Sequence, residues 1–374
     1  LIALLSLLIW LYLFLLHGRF WRSAPQLPPA QPPQLSQLPQ LPQVDIVVPA
    51  RDEALTVAAA IGSLLTQDYA GQFRVILVDD NSTDGTAALS LAAAAAMPSR
   101  LTVISLQSKP ADWSGKLWAL SRGIAASQAP VLLLTDADIV HDPRHLSSLI
   151  AKLEQDRLDL VSEMVRLNCA SPAERALVPA FVYFFQMLYP FSRVNDPRSR
   201  VAAAAGGTVL IRREALERSG GIDAIKNSLI DDVALAKSVK KSGSIFLGHS
   251  GLASSIRAYP NFGDIWHMIS RTAFTQLRRS AALLALTLLG LTMVWLVPAW
   301  AILSGSGWQR ACGLVAFGLA ASSYLPTLVR YERSRLWALL LPLIALFYMA
   351  ATVSSALDHW LGRGARWKSR AYGS

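Results

Sequence analysis

The chain has 374 residues, 53% hydrophobic and only 16% charged, with 35 basic and 25 acidic side chains and a net charge of +10. All of these charges lie outside four apolar stretches, residues 1–16, 281–309, 311–329 and 336–357, so one water-soluble domain is joined to membrane segments, which argues against an all-membrane transporter and against a purely soluble enzyme. Positive charge gathers beside the apolar stretches and in residues 151–280, while residues 44–150 are net acidic; this suits an anionic membrane surface and a metal-binding half-domain, and no nucleic-acid-binding module is present.

Residues 1–22 open with LIALLSLLIWLYLFLL. The run is a little short of the ~20 residues of a full span, but its Trp and Tyr, with Phe20 and Trp21, extend it into the interface. It has no early basic region and no small-residue cleavage site, so an uncleaved anchor is predicted in preference to a signal peptide. Arg19 and Arg22 follow, which places the next domain in the cytosol. Residues 23–43 form a Pro-rich linker, a semi-extended spacer. Cys169 and Cys312 are the only cysteines, so no disulfide framework is expected and a reducing compartment is the natural setting.

From Val44 strands and helices alternate. VDIVVPA (44–50), RVILVDD (74–80), LTVISL (101–106) and VLLLTDAD (131–138) read as strands. Residues 54–66, a segment from Asp84, residues 115–127 and a segment from Pro143 read as helices. Continuous apolar strands between helices predict an α/β fold with a central, mostly parallel sheet buried on both faces. Ligands in such sheets bind beyond the carboxyl ends of the strands. Arg51, Asp52 and Glu53, then Asp79 and Asp80, then Asp136 and Asp138 occupy three such ends, and they are predicted to converge on one site. Further on, residues 177–191 predict a buried or interfacial aromatic helix, 208–214 and 244–250 strands, and 232–242 a helix. Residues 264–280 predict an amphipathic membrane-surface helix. Three apolar stretches of spanning length occupy 281–357, before a basic tail at 358–374.

Several short motifs carry chemistry. Asp136 and Asp138 stand two apart at a strand end, able to share Mg²⁺ or Mn²⁺ with phosphate oxygens; taken alone they read better as turn or capping aspartates. Asp84 or Thr83 suits the cap of the following helix, whereas Asp79 and Asp80 are not needed for that turn. Lys116 lies early in a helix, where backbone N–H groups and an ammonium meet anionic phosphate. Gly206 and Gly207 precede a strand and permit close approach of a ligand. Asp231 and Asp232 open a helix; capping accounts for one of them, and a general base for an acceptor hydroxyl accounts for the other. Gln276 and Arg279 lie just before the first C-terminal apolar stretch, where Arg279 is suited to neutralise a diphosphate leaving group.

In this order and spacing, PARDE, VDDNSTDGT, SGK, TDAD, GG, IDD and QLRRS resemble an inverting family 2 glycosyltransferase of GT-A fold over residues 44–280. GKLWAL, LLLTDADI, FFQMLYPF, VNDPR, AAAAGG, LIDDVALA and RTAFTQLR are similar to the bacterial hopanoid-biosynthesis-associated membrane glycosyltransferases. The resemblance implies a UDP-sugar donor, a lipid acceptor, a divalent cation and a cytoplasmic-membrane location with the catalytic domain facing the cytosol. It implies that Pro49, Arg51 and Glu53 line the nucleotide pocket, Asp79 contacts the uracil, and Lys116 and Asp136 lie near ribose and diphosphate. It also implies that Asp138 binds metal with Asp136, that Asp232 is the base, and that Gln276 and Arg279, with Gly206 and Gly207, serve the leaving group and acceptor. Asp231-Asp232 stands where Glu-Asp is usual, which leaves Asp231 a second candidate. Ser280 replaces the Trp of processive synthases and argues against polymer synthesis. Polyprenyl phosphate and glycerolipid are the alternative acceptors, and a nucleotide-sugar-binding regulatory membrane protein is the alternative class.

Overall fold

The computed structural model describes residues 1–29 and 40–363, and the backbone of 366–367 and 370–371. Residues 30–39 of the Pro-rich linker, and the side chains of Arg366, Lys368 and Arg370 in the basic tail, lie outside the described residues. The chain forms two compact units with interleaved segments. One comprises Ala24–Asn168, Arg193–Arg257 and the short strands at 366–367 and 370–371; the other comprises Leu1–Ser23, Cys169–Ser192 and the described residues 258–363. The second unit contains helix α1 (Ile2–Leu15).

The α/β unit begins with β1 (Val44–Ala50), buried along its whole length. Helix α2 (Val57–Leu65) leads to β2 (Phe73–Asp79), α3 (Thr86–Ala93) to β3 (Leu101–Ser105), and α4 (Gly115–Ala125) to β4 (Val131–Thr135). β1 is parallel to β2 and β4, and β2 is parallel to β3. Such a sheet needs apolar side chains on both faces, which is why its strands read as unbroken apolar runs. The packing is close: a Cβ on Gly123 of α4 would lie 2.4 Å from Val47 Cγ1 and 3.0 Å from Val78 Cγ2.

β5 (Ile139–His141), α5 (His145–Gln155) and β6 (Leu160–Arg166) follow. The chain then leaves this unit as α6 (Pro172–Leu188) and returns through β7 (Thr208–Arg212), α7 (Asp231–Val239) and β8 (Ile245–Ser255). The strand order is β3-β2-β1-β4-β7-β6-β8-β5. β7 is antiparallel to β4 and β6, β6 is parallel to β8, and β5 is antiparallel to β8. The sheet is therefore mixed and mostly parallel.

Several boundaries differ from expectation: α2 starts at Val57 and not at 54, α5 at His145 and not at Pro143, α6 covers Pro172–Leu188 and not 177–191, and β8 runs on to Ser255. Helix α3 starts at Thr86, not Asp84, because Gly85 takes φ 89° and occupies the cap position. Asp84 instead accepts from Thr86 N (3.1 Å) and Ala54 N (2.9 Å), tying the turn after β2 to the turn after β1. Asp52, at φ 50°, completes that tie by accepting from Thr83 N (2.9 Å). β4 ends at Thr135, leaving Asp136 and Asp138 in the loop beyond it.

In the second unit, α6 is started by a capping box: Ser171 Oγ accepts from Glu174 N (3.1 Å) and Glu174 accepts from Ser171 N (2.7 Å). The other Glu174 oxygen accepts from Tyr259 N (2.7 Å). That carboxylate fixes the approach to α8 (Phe262–Gln276), itself capped by Asn261 and Asp264. Among the described residues, three helices are long and apolar enough to cross a membrane: α9 (Ala281–Ser304), α10 (Trp308–Arg330) and α11 (Arg335–Trp360), with mean hydropathies of 2.1, 1.6 and 2.2. The amphipathic helix predicted for the membrane surface is α8, and much of its apolar face is covered by α11. Trp266 packs edge-on to Phe347, Phe274 packs against His359 and Trp360, and Ser355 Oγ accepts from Phe274 N (3.0 Å).

Candidate active site

The parallel strands β1, β2 and β4 end on one side of the sheet, with Ala50 opposite Asp79 and Val47 opposite Leu134, while Thr135 at the end of β4 faces Thr208 at the start of β7. This places Lys116, Asp136, Gly206, Asp231 and Asp232 around one cleft, whose wall also includes Pro49, Val209 and Ile225. Ser114 caps α4 by accepting from Leu117 N (3.3 Å), which sets Lys116 in the first turn. Lys116 Nζ lies 2.9 Å from Asp136 Oδ1 and 3.3 Å from Asp231 Oδ2. Burial works against its charge, but Asp136, Asp231 and Asp232 hold the ammonium well above the usual lysine range.

Asp232 is in a different situation. Its Oδ1 accepts from Val233 N (2.7 Å). Burial and the adjacent Asp231 charge push its carboxyl up to about 7, against the opposing pull of Lys116 and the backbone N–H groups of Val233 and Gly206. Space beside Gly206 is tight: a Cβ there would stand 3.2 Å from Asp232 Oδ2 and 3.5 Å from Lys116 Nζ. At Gly207 a Cβ would come within 2.9 Å of Val165 Cγ2. Burial also raises the Asp136 carboxyl; Lys116 opposes this and Asp138 adds to it.

The remaining predicted donor-site residues surround the strand ends. Arg51 donates to the Asp80 carbonyl and lies 3.6 Å from Asp80 Oδ2. Asp79 Oδ1 accepts from Ser82 N (3.1 Å) and from the Ser82 hydroxyl. Glu53 and Asp138 are bridged by Arg257, a residue that sequence reasoning passed over. The strand predicted over 244–250 runs on to Ser255, so Arg257 lay seven residues past the expected strand end and gave no signal there.

A second overlooked group lies beneath the cleft. The Thr135 hydroxyl donates to Gly207 O (2.8 Å) and lies 3.2 Å from His141 Nε2. His141 Nδ1 is 2.8 Å from His145 Nδ1, and His145 Nε2 is 2.7 Å from Glu163 Oε2. Since the single Thr135 proton goes to Gly207, His141 Nε2 must be the donor to Thr135. Burial, with His145 beside it, pulls His141 well below the usual histidine range and keeps it neutral, so His145 Nδ1 donates to His141 Nδ1. The chain of buried groups holds the end of β4 and Gly207 together. Gln276 and Arg279 belong to the other unit. Gln276 donates to Tyr189 Oη, and Arg279 takes φ 55° directly after α8.

The fold is that of a GT-A domain. The Mannosyltransferase PcManGT from Pyrobaculum calidifontis, solved in complex with GDP-Man and Mn²⁺, superposes with a TM-score of 0.56 over 95% of this chain and 99% of its own, at 17% identity. Residues 45–220 match the family model described as Glycosyl transferase family 2. Succinoglycan biosynthesis protein ExoU of Rhizobium meliloti is 31% identical over 133 residues, 36% of this chain and 36% of its own. The Beta-monoglucosyldiacylglycerol synthase of a Nostoc species is 26% identical over 193 residues, 51% of this chain and 40% of its own. The chain thus spans well under half the length of these two relatives.

Proposed function

We propose that the protein is a membrane-bound inverting glycosyltransferase that moves a sugar from a UDP-sugar to the hydroxyl of a membrane lipid. The observation that carries this reading is the Lys116 ammonium held between Asp136 and Asp231 (2.9 and 3.3 Å), beside a carboxyl at Asp232 raised to about 7, in a chain that matches the family 2 model over residues 45–220. Lys116 and Arg51 offer positive charge to a nucleoside diphosphate at the strand ends. Asp232 takes the acceptor proton as the hydroxyl oxygen bonds to the anomeric carbon and the bond to the diphosphate breaks on the opposite side. Asp231, 3.3 Å from Lys116 Nζ, is the second candidate. Pro49, Glu53 and Asp79 shape the nucleotide pocket in this reading. Gly206 leaves room beside the base and Gly207 packs against Val165, while the resemblance assigns Gln276 and Arg279 to the leaving group and acceptor.

The donor set suits a divalent cation, Mg²⁺ or Mn²⁺. Asp136 and Asp138 are hard oxygen ligands two residues apart, and the side-chain hydrogen bonds to Asp138 fall on Oδ2. No group of three or more His, Cys, Asp or Glu placed to hold a metal occurs among the described residues, so the donor's phosphate oxygens would complete the shell. A bound cation supplies neutralisation of the departing diphosphate.

The apolar helices and the glycerolipid named for one relative support a lipid acceptor. Within that class, the resemblance to hopanoid-associated enzymes favours a hopanoid-pathway lipid, and the membrane is then the bacterial cytoplasmic membrane with the α/β unit in the cytosol. The test is mass spectrometry of lipids from cells with the intact gene, without it, and with Asp232→Asn. A hexose-type mass increment that needs both the gene and Asp232 supports transfer. An unchanged lipid profile, with UDP-sugar still bound by the purified protein, overturns it in favour of a sugar-nucleotide sensor.

A further inference from the structure

Arg257 follows β8 and reaches two carboxylates from distant parts of the chain. Its Nε lies 2.7 Å from Asp138 Oδ2 and its Nη2 2.6 Å from Glu53 Oε1. Ser255 Oγ shares the same Asp138 oxygen at 3.2 Å. The two carboxylates are about one-tenth exposed, and the arginine side chain is 30% exposed. Burying both carboxylates is costly without a cation between them, and the guanidinium supplies one charge against their two.

We propose that Arg257 is a resident cation that competes with the divalent metal for Asp138 and yields its place when the donor arrives. The inference rests on the reading of Asp138 as a metal ligand. A divalent ion at Asp138 would sit within a few ångströms of a guanidinium already bonded to that carboxylate, and the two positive charges repel. Metal alone therefore binds against Arg257. A nucleoside diphosphate changes this balance: it brings oxygens to the metal and offers the released guanidinium a bidentate partner. Glu53 keeps one arm of the arginine tethered beside the site during the exchange. Metal and donor then bind cooperatively, each raising the affinity of the site for the other. Arg257 is a positioning residue for the cation and a binding residue for the diphosphate.

The test uses the full chain in detergent, with Mn²⁺ as the probe followed by electron paramagnetic resonance, in the presence and absence of UDP. Without nucleotide, Arg257→Gln is expected to bind Mn²⁺ roughly ten- to hundredfold more tightly than the native protein, the worth of one charge-assisted hydrogen bond no longer broken. UDP affinity of the same variant, measured with Mn²⁺ present, is expected to fall. Arg257→Lys keeps a cation but not the double contact, and is expected to tighten Mn²⁺ binding to an intermediate degree even if the Gln variant does not fold. Asp138→Asn serves as the separate control. If it abolishes Mn²⁺ binding while neither Arg257 variant tightens it, Arg257 is only a structural clip and the inference fails alone. If Asp138→Asn leaves Mn²⁺ binding unchanged, the metal reading fails and takes this inference with it.

Discussion

Asp232 has the chemistry of a base at neutral pH because its neighbours disfavour its charge. Its carboxyl titrates at about 7, raised by burial and by Asp231, so the deprotonated form dominates above that pH. We expect kcat/KM for transfer to fall about tenfold per pH unit below about 7 in native protein. Because the folded state holds this proton more tightly than the unfolded chain, the stability that Asp232 contributes is greatest at acid pH and is lost as pH rises through 7. Asp232→Asn should lower transfer roughly 10²–10⁴-fold while leaving UDP binding nearly intact, and Asp231→Asn should cost less. Equal losses from both, in kinetic assays at fixed pH, would contradict the assignment of the base. Gly206→Ala puts a methyl group 3.2 Å from Asp232 Oδ2. We expect it to reduce kcat far more than it shifts the melting temperature. Asp79, Asp136 and Asp138 drew attention in sequence because they stand at the ends of apolar strands, and Asp231 and Asp232 because two adjacent carboxylates open a helix. Arg257 did not, since it meets Asp138 across 119 residues and Glu53 across 204. The pairing of His141, His145 and Glu163 was hidden for the same reason: β6 must fold beside α5 before the carboxylate and the imidazole meet.

Elements carry the site through two close contacts. At Gly123, α4 lies against β1 and β2 with no space for a side chain. Gly123→Ala is expected to destabilise the α/β unit by about 1–3 kcal/mol through overpacking and to displace Lys116 on the same helix, read as a lowered denaturation midpoint together with weaker donor binding. At the end of α7, Lys240 Nζ donates to the carbonyls of Arg193 (3.1 Å), Val201 (2.7 Å) and Val194. Burial pulls this ammonium below the usual lysine range, and Asp196 opposes the shift. The clamp fixes the segment that leads into Gly206. Lys240→Met retains the aliphatic stem but leaves three carbonyls without their donor, at a cost of about 2 kcal/mol, measurable by chemical denaturation. The parallel half of the sheet was readable from continuous apolar runs. β5 was not, because it has only three residues, and β8 was read only as far as residue 250, because residues 251–255 (GLASS) end the apolar run. The partner of α8 also escaped: its amphipathic pattern states that one face is covered, not by what.

On the scale of the whole molecule, the apolar helices raise a question of sidedness. Phe274, Leu284 and Ala356 pack in one cluster. Leu284 lies in the first turn of α9 and Ala356 near the end of α11, so the third apolar helix ends where the first begins. Three complete crossings would separate them. We therefore expect the tail beyond α11 to lie on the same side as Arg278 and Arg279, which also keeps its basic residues with the basic loop at 330–335. A cysteine at position 372, with Cys169 and Cys312 replaced by Ser, should react with an impermeant maleimide only after permeabilisation; labelling of intact cells would establish three full crossings.

The interleaving of the two units has a practical consequence for anyone who wishes to crystallise the catalytic half or evolve it in isolation. Its segments are not contiguous in the gene, because Cys169–Ser192 belongs with the apolar helices although it lies between β6 and β7. A gene fragment for residues 44–280 would encode α6 and α8 without α1, α9, α10 or α11, and both would present aromatic faces to water. Such a fragment should precipitate. A soluble form requires an internal graft that replaces 169–192 with a short polar bridge and stops at Arg257, so in this protein the border between the water-soluble and membrane parts is three-dimensional and cannot be marked by one cut in the reading frame.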